Sequence, residues 1–273
     1  SLMIAAYNFN NQCPLGSAAG YGVPLMIDRA MASDLLGFAA PIHNVLYAGN
    51  SRGKCEAVIL STMSHVMLTL SRLAEDVIMF STPEFGYFIV PKEYCTGSSI
   101  MPQKNNPDVL ELVRAKAGKV LALASGAAGI VKGLPSGYNR DLQEIKELFV
   151  EGIKTTRACL RILTLLLKKV KVNRKAIVSA FKPEVFAADE ALEMVVGGVT
   201  FRDAYNHVKA HLGDLAAVDP ARAVSLKKHL GAPAGLDYGL LRGRVRKLSK
   251  LASSEKAKHS RTISRLLGIK YAG

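Results

Sequence analysis

Thr96-Gly97-Ser98-Ser99-Ile100-Met101-Pro102-Gln103-Lys104-Asn105-Asn106-Pro107-Asp108 is the stretch on which the reading of this chain turns. Gly97 and the two serines give a pliant, hydrogen-bonding backbone that a buried helix or strand would not select. Lys104 adds a cation a few residues from the hydroxyls. Asn106-Pro107-Asp108 reads as a helix start, with Asn at the N-cap, Pro at N1 and an acid in the first turn. A mostly apolar helix is expected to follow over about 107–131. The run thus brings hydroxyls, an amine and a helix N-terminus to one place, which suits a developing carboxylate-type anion. A Gly/Ser loop alone would be a linker; the ordered run before a long helix argues for a site.

Working outward, apolar residues recur at helical spacing from Pro41 to about Thr82, with a break at Gly49-Asn50-Ser51-Arg52-Gly53. The later part (Leu60, Met63, Met67, Leu70, Ala74, Ile78) is apolar on more than one face, as in a helix inside a bundle or between subunits. Residues 83–106 form a long connection of the kind that is functional or disordered in compact domains. Beyond the turn Gly133–Asn139, a helix is expected from about Asp141 to Lys169. Upstream, residues 2–12 read as helix, Pro14–Gly22 as a glycine-rich turn, and Leu25 to Leu36 as a short helix ended by Gly37. The glycine-rich turn lacks GxGxxG spacing and a preceding strand, so it is a poor nucleotide loop. From 171 onward the helices shorten (Pro183–Val196, Phe201–Leu212, Pro220–Leu230, Leu240–Leu251). The expected fold is all-α: a long helical bundle over residues 1–170 and a smaller helical domain over 171–273.

Composition narrows the class. Of 273 residues 49% are hydrophobic and none is tryptophan, and the apolar segments are rich in Ala, Leu, Val and Met, which favours helix. The cysteines (Cys13, Cys55, Cys95, Cys159) are scattered without CxxC spacing, which points to a reducing, cytoplasmic compartment. No signal peptide is read at the start, and Ile162–Leu167 is too short to span a bilayer. The net charge of +14 lies wholly in 151–273, with 24 Lys/Arg against 10 Asp/Glu; residues 1–150 balance at 12 each. A basic half can face a polyanion, but no zinc-finger spacing or aromatic-interleaved RNA motif accompanies it, so a solvated basic surface is the preferred reading.

Gly97–Pro107 resembles the signature loop of the aspartase/fumarase superfamily of β-eliminating lyases. Gln103 before the lysine, together with Leu134-Pro135-Ser136-Gly137-Tyr138-Asn139-Arg140-Asp141-Leu142-Gln143-Glu144-Ile145-Lys146, is similar to its argininosuccinate lyase branch. Leu73-Ala74-Glu75-Asp76, the run Ser81–Gly86 and Pro14-Leu15-Gly16-Ser17 match that branch as well. The resemblance implies reversible cleavage of argininosuccinate to arginine and fumarate, with neither cofactor nor metal. A base takes a proton from the carbon beside a carboxylate, an aci-carboxylate forms, and the C–N bond breaks as the leaving nitrogen is protonated.

By the family's pattern Ser98 is the base, its alkoxide stabilised by nearby positive potential. Lys104 and Asn106 would hold the aci-carboxylate, and Glu111 would pair with an acid/base histidine. Tyr138, Gln143 and Lys146 match positions that bind the arginine end and the carboxylates, with Gln143 and Lys146 three apart on one helix face. Arg52 is a further contact candidate. Each residue also has a plainer reading: loop hydroxyl, first-turn acid, surface side chain. None of the six histidines fits the family's acid histidine; His65 reads as a core residue, and His207/His211 lack a third metal ligand.

The match also implies that a complete member carries an N-terminal region ahead of Ser1, so the chain corresponds to the C-terminal three-fifths, with the rest expected either from a longer product or from a separate chain. In the superfamily four subunits share one bundle and each site draws on three of them, so a homotetramer is expected. Two other readings stand beside the enzyme: a non-catalytic helical oligomer of the same fold, like the family's structural lens proteins, and a sister lyase acting on adenylosuccinate, against which Gln103 and the Tyr138–Lys146 run speak.

Overall fold

The computed structural model describes residues 2–271. Among them the helices are α1 (Leu2–Asn10), α2 (Arg29–Leu36), α3 (Val45–Asn50), α4 (Lys54–Ser81), α5 (Asp108–Val131), α6 (Ile145–Leu167), α7 (Arg174–Ser179), α8 (Ala187–Val196), α9 (Phe201–Ala210), α10 (Pro220–Leu226) and α11 (Tyr238–Leu267). Strand is confined to four two-residue pieces, so the fold is all-α. Two of these, β1 (Gln12–Cys13) and β2 (Ala40–Pro41), pair in parallel with Gln12 opposite Ala40.

Helix boundaries follow local chemistry and correct several expectations. Asp28 caps α2 by accepting from Met31 N, so that helix begins at Arg29 rather than Leu25; Gly37 ends it in the left-handed conformation, as expected. Asn44 caps α3 through Leu46 N and Tyr47 N. At α5 the cap is Pro107, with no side-chain bond, and the helix starts at Asp108. Asn106 is not the N-cap because its backbone is already committed to pairing with Thr96. Residues 140–143 make a separate 3₁₀ turn before α6, so that helix starts at Ile145 and not Asp141. The last helix is 30 residues long, far beyond Leu240–Leu251: its mostly polar sequence hid its length from an apolar count.

The chain divides into two compact units: residues up to 81, 90–171 and from 251 onward form one, and 82–89 with 172–250 the other. In the first, α4, α5 and α6 pack together and α1 lies against α4. Their core near the end of α5 comprises Leu60, Ala124, Ala127, Leu142 and Ile145, flanked by Val131, Leu134 and Phe149. In the second unit, α8 and α9 close on Ala191, Ala204 and Val208. Within this chain α4 buries one stripe (Leu60, Met67, Ala74, Val77), while Leu68, Leu73 and Met79 on its other faces are exposed. Its 28 residues are long and apolar enough to cross a membrane by length and composition alone. Here it runs beside α5 and α6, and its buried Thr62 and Ser64 hydroxyls bond back to Val58 O and Ser61 O. His65 is exposed on α4 and not in the core.

Candidate active site

The signature loop is clasped at its base. Thr96 N donates to Asn106 O at 2.9 Å and Asn106 N to Thr96 O at 2.8 Å, an antiparallel bridge that closes residues 97–105 into one loop. Ser98 and Lys104 both lie inside the loop that this bridge closes. Lys104 N bonds Met101 O at 3.0 Å and shapes the tip.

Ser98, half-buried, is the best-supported hydroxyl in the loop. Its Oγ accepts from Ile100 N at 3.2 Å and from Met101 N at 3.1 Å. Two N–H dipoles aimed at one oxygen favour negative charge on it. The loop's foot is tied to α5 through Thr96 Oγ1, which donates to Asp108 Oδ2. Burial pushes the Cys95 thiol up, and the Asp108 carboxylate adds to this, so the neighbouring sulfur stays protonated near neutral pH. Lys104 is exposed, and Asn106 half-buried. Glu111 stands exposed one turn into α5, beside an open cleft of about 540 Å³ that Asp108 and Arg114 also line. Arg114 is itself ion-paired with Glu75 on α4.

A second group gathers at the far end of α5. The half-buried Arg52 lies over the exposed Tyr138 ring, its Cζ 5.0 Å from the centroid, a cation–π arrangement. Gly53 allows Arg52 to sit there: it has φ +73°, and a Cβ would fall 2.6 Å from Ile145 Cδ1 and 2.8 Å from Leu142 Cδ2. The chain therefore turns hard against the core that roots the 3₁₀ turn and α6. Gln143 ends the 3₁₀ turn and Lys146 lies in the first turn of α6, so they do not share one continuous helix as expected. Gln143 is half-buried and Lys146 exposed. Beside them a cleft of about 190 Å³ is bounded by Asn50, Arg52, Pro135 and Gly137.

The structure thus brings Ser98, Lys104, Asn106 and Glu111 to one end of α5, and Arg52, Tyr138, Gln143 and Lys146 to the other. Twenty-four residues of helix separate the groups, about 36 Å at 1.5 Å per residue. Sequence reasoning gave no role to Asn50, which bonds the Tyr138 turn, nor to the Thr96–Asp108 tether. Asn50 stood in a run read as a helix break and as the setting of Arg52; its signal was a polar side chain three residues ahead of a glycine. Away from both groups, His211 Nδ1 is 2.7 Å from His207 O, a backbone tie within α9 and its cap.

A family profile described as "Lyase" matches residues 4–122. Curated argininosuccinate lyases from Parabacteroides distasonis and Thermotoga neapolitana are 45% and 42% identical, over 76% and 78% of this chain and 46% and 53% of theirs. The chain spans about half the length of the curated relatives it matches. Among solved structures, EDDS lyase in complex with formate superposes with a TM-score of 0.72 at 19% identity, over 98% of this chain and 60% of that one. That likeness speaks for the fold. Over the matched residues the chain is similar to lyases, and at 40–45% identity to argininosuccinate lyases in particular.

Proposed function

We propose that this chain contributes the base-bearing and arginine-binding elements of an argininosuccinate lyase, EC 4.3.2.1. The observation that carries the reading is the Ser98 hydroxyl, which accepts two backbone N–H groups inside a clasped loop. A serine hydroxyl is ordinarily far too weak an acid to serve as base; donors already pointed at its oxygen lower the cost of the alkoxide.

In this reading Ser98 Oγ takes a proton from the methylene carbon next to the carbon that bears the departing nitrogen, and charge moves into the carboxylate attached to that methylene. Lys104 and Asn106 hold the resulting aci-carboxylate. Glu111 sets the charge of an acid/base histidine drawn from the region that the relatives carry and this chain does not match. The C–N bond breaks, the leaving guanidino nitrogen is protonated, and fumarate and arginine result. Arg52, Tyr138, Gln143 and Lys146 grip the arginine end and the carboxylates. No cofactor or metal takes part.

Since α5 holds the two groups apart, the complete site takes them from different copies, as a homotetramer supplies. Exposed apolar side chains on the bundle helices (Leu68, Leu112, Leu121, Leu160, Leu165) support that assembly. The four cysteines are all free, which supports a reducing, cytoplasmic setting. The isolated chain is expected to release little fumarate until an N-terminal region is supplied. Ser98→Ala in the reconstituted enzyme should lower fumarate release, followed by ultraviolet absorbance, by about 10²–10⁴-fold while leaving the helical signal intact. Undiminished turnover would remove Ser98 from the mechanism.

A further inference from the structure

Asn50 ends α3 two residues before Arg52, yet its side chain reaches a different element. Its Oδ1 accepts the N–H of Gly137 at 2.8 Å and its Nδ2 donates to Ser136 Oγ at 3.2 Å. Gly137 is buried, and a buried backbone N–H needs a partner. The approach is close: a Cβ on Gly49 would stand 3.5 Å from Gly137 O, and one on Gly20 3.6 Å from Gly137 Cα. Gly137 itself has φ +104°, which glycine alone adopts cheaply.

Tyr138 follows Gly137 directly, and its ring carries the Arg52 guanidinium. One carboxamide therefore fastens the backbone that bears the ring to the backbone that bears the guanidinium. The turn closes on itself without help from Asn50, because Asn139 Nδ2 donates to Pro135 O at 2.8 Å and to Gly137 O at 3.4 Å. What Asn50 adds is the attachment of that turn to the α3–α4 break.

We propose that Asn50 is a positioning residue for the arginine-binding end of the site: it fixes where Tyr138 and Arg52 stand relative to each other. What is bound there rests on the lyase reading; the clamp itself does not. The chemistry specifies the side chain, which must accept an N–H and also meet a hydroxyl. Aspartate at this position keeps the acceptor and can receive the Ser136 O–H; alanine keeps neither.

Two measurements test the clamp. Hydrogen exchange, read residue by residue by NMR on the 273-residue chain, should show the Gly137 amide exchanging about tenfold faster or more in Asn50→Ala, one lost hydrogen bond's worth. Amides in the middle of α4 and α5 should be unchanged, and Asn50→Asp should stay near wild type. With the N-terminal region supplied, Asn50→Ala should raise the KM for argininosuccinate about tenfold with kcat within about twofold, and Asn50→Asp should restore it. An unchanged Gly137 exchange rate, or a loss of protection throughout the bundle, would overturn the proposal. So would an unchanged KM in an active enzyme. Absence of fumarate release from wild type as well would count against the lyase reading, leaving the Gly137 rate to decide the clamp.

Discussion

Single side chains set the local chemistry of this chain, and Tyr7 shows how. Its hydroxyl donates to Glu255 Oε2, joining α1 to the last third of the sequence. That hydrogen bond, with smaller contributions from burial and from the Glu255 charge, pushes the phenol up to about 12 from 10.0. A raised pKa favours the protonated form in the fold, so the stabilisation is complete below pH 10 and fades as pH climbs through 12. Ultraviolet titration should therefore show one of the nine tyrosines ionising near pH 12. The late step should vanish in Tyr7→Phe, and its persistence there would reassign it. That Ser98, Lys104 and Glu111 cluster about one helix start was legible in the sequence because loop chemistry is local: glycine, hydroxyls, an amine and a helix start lie within fifteen residues. Asn50 and the Tyr7–Glu255 pair were not, since each depends on a contact 87 or 248 residues away.

Among the elements, α4, α5 and α6 were foreseen from apolar spacing, while the starts of α5 and α6 were misjudged by one and four residues. The reason is physical. A 3₁₀ turn such as Arg140–Gln143 carries the same residue types as a helix's first turn, and only tertiary packing of Leu142 and Ile145 separates the two. Packing also explains Gly152 in the middle of α6. A Cβ there would lie 2.3 Å from Leu60 Cδ2, and Leu60 is fully buried. Gly152→Ala gains about 1 kcal/mol in helix propensity but overpacks the α4–α6 contact at a cost of about 1–3 kcal/mol. The expected outcome is a loss of up to roughly 2 kcal/mol of unfolding free energy, read as a lower urea midpoint. In a Leu60→Ala background the sign should reverse, because the new methyl then fills a cavity. Destabilisation of equal size in both backgrounds would mean that backbone conformation, not Leu60, excludes a side chain.

At the scale of the molecule, apolar residues exposed along the bundle and site groups at opposite ends of α5 belong to one description. The all-α class was readable in advance because helices dominate an Ala/Leu-rich chain without strand-length alternation. Which faces stay open was not, since the sequence marks apolar positions without saying which of them this chain covers itself. If each site unites groups from different copies, two inactive variants should complement. Ser98→Ala and Lys146→Met chains, unfolded together and refolded with the N-terminal region, should release more fumarate than either alone. Mixed assemblies contain sites in which both positions are wild type. A mixture no better than its parents would put both groups to work within one copy, or neither.

The helix between those groups then acts as a gauge. Each residue of α5 advances the far group by about 1.5 Å and rotates it by about 100°, so the number of residues matters where their identities do not. Within this chain a Cβ at Gly118 or Gly129 would meet nothing within 4 Å. A single deletion beside either would throw Tyr138 and Ser98 out of phase while leaving both neighbourhoods intact. Evolution can repaint this rod; it cannot cut it.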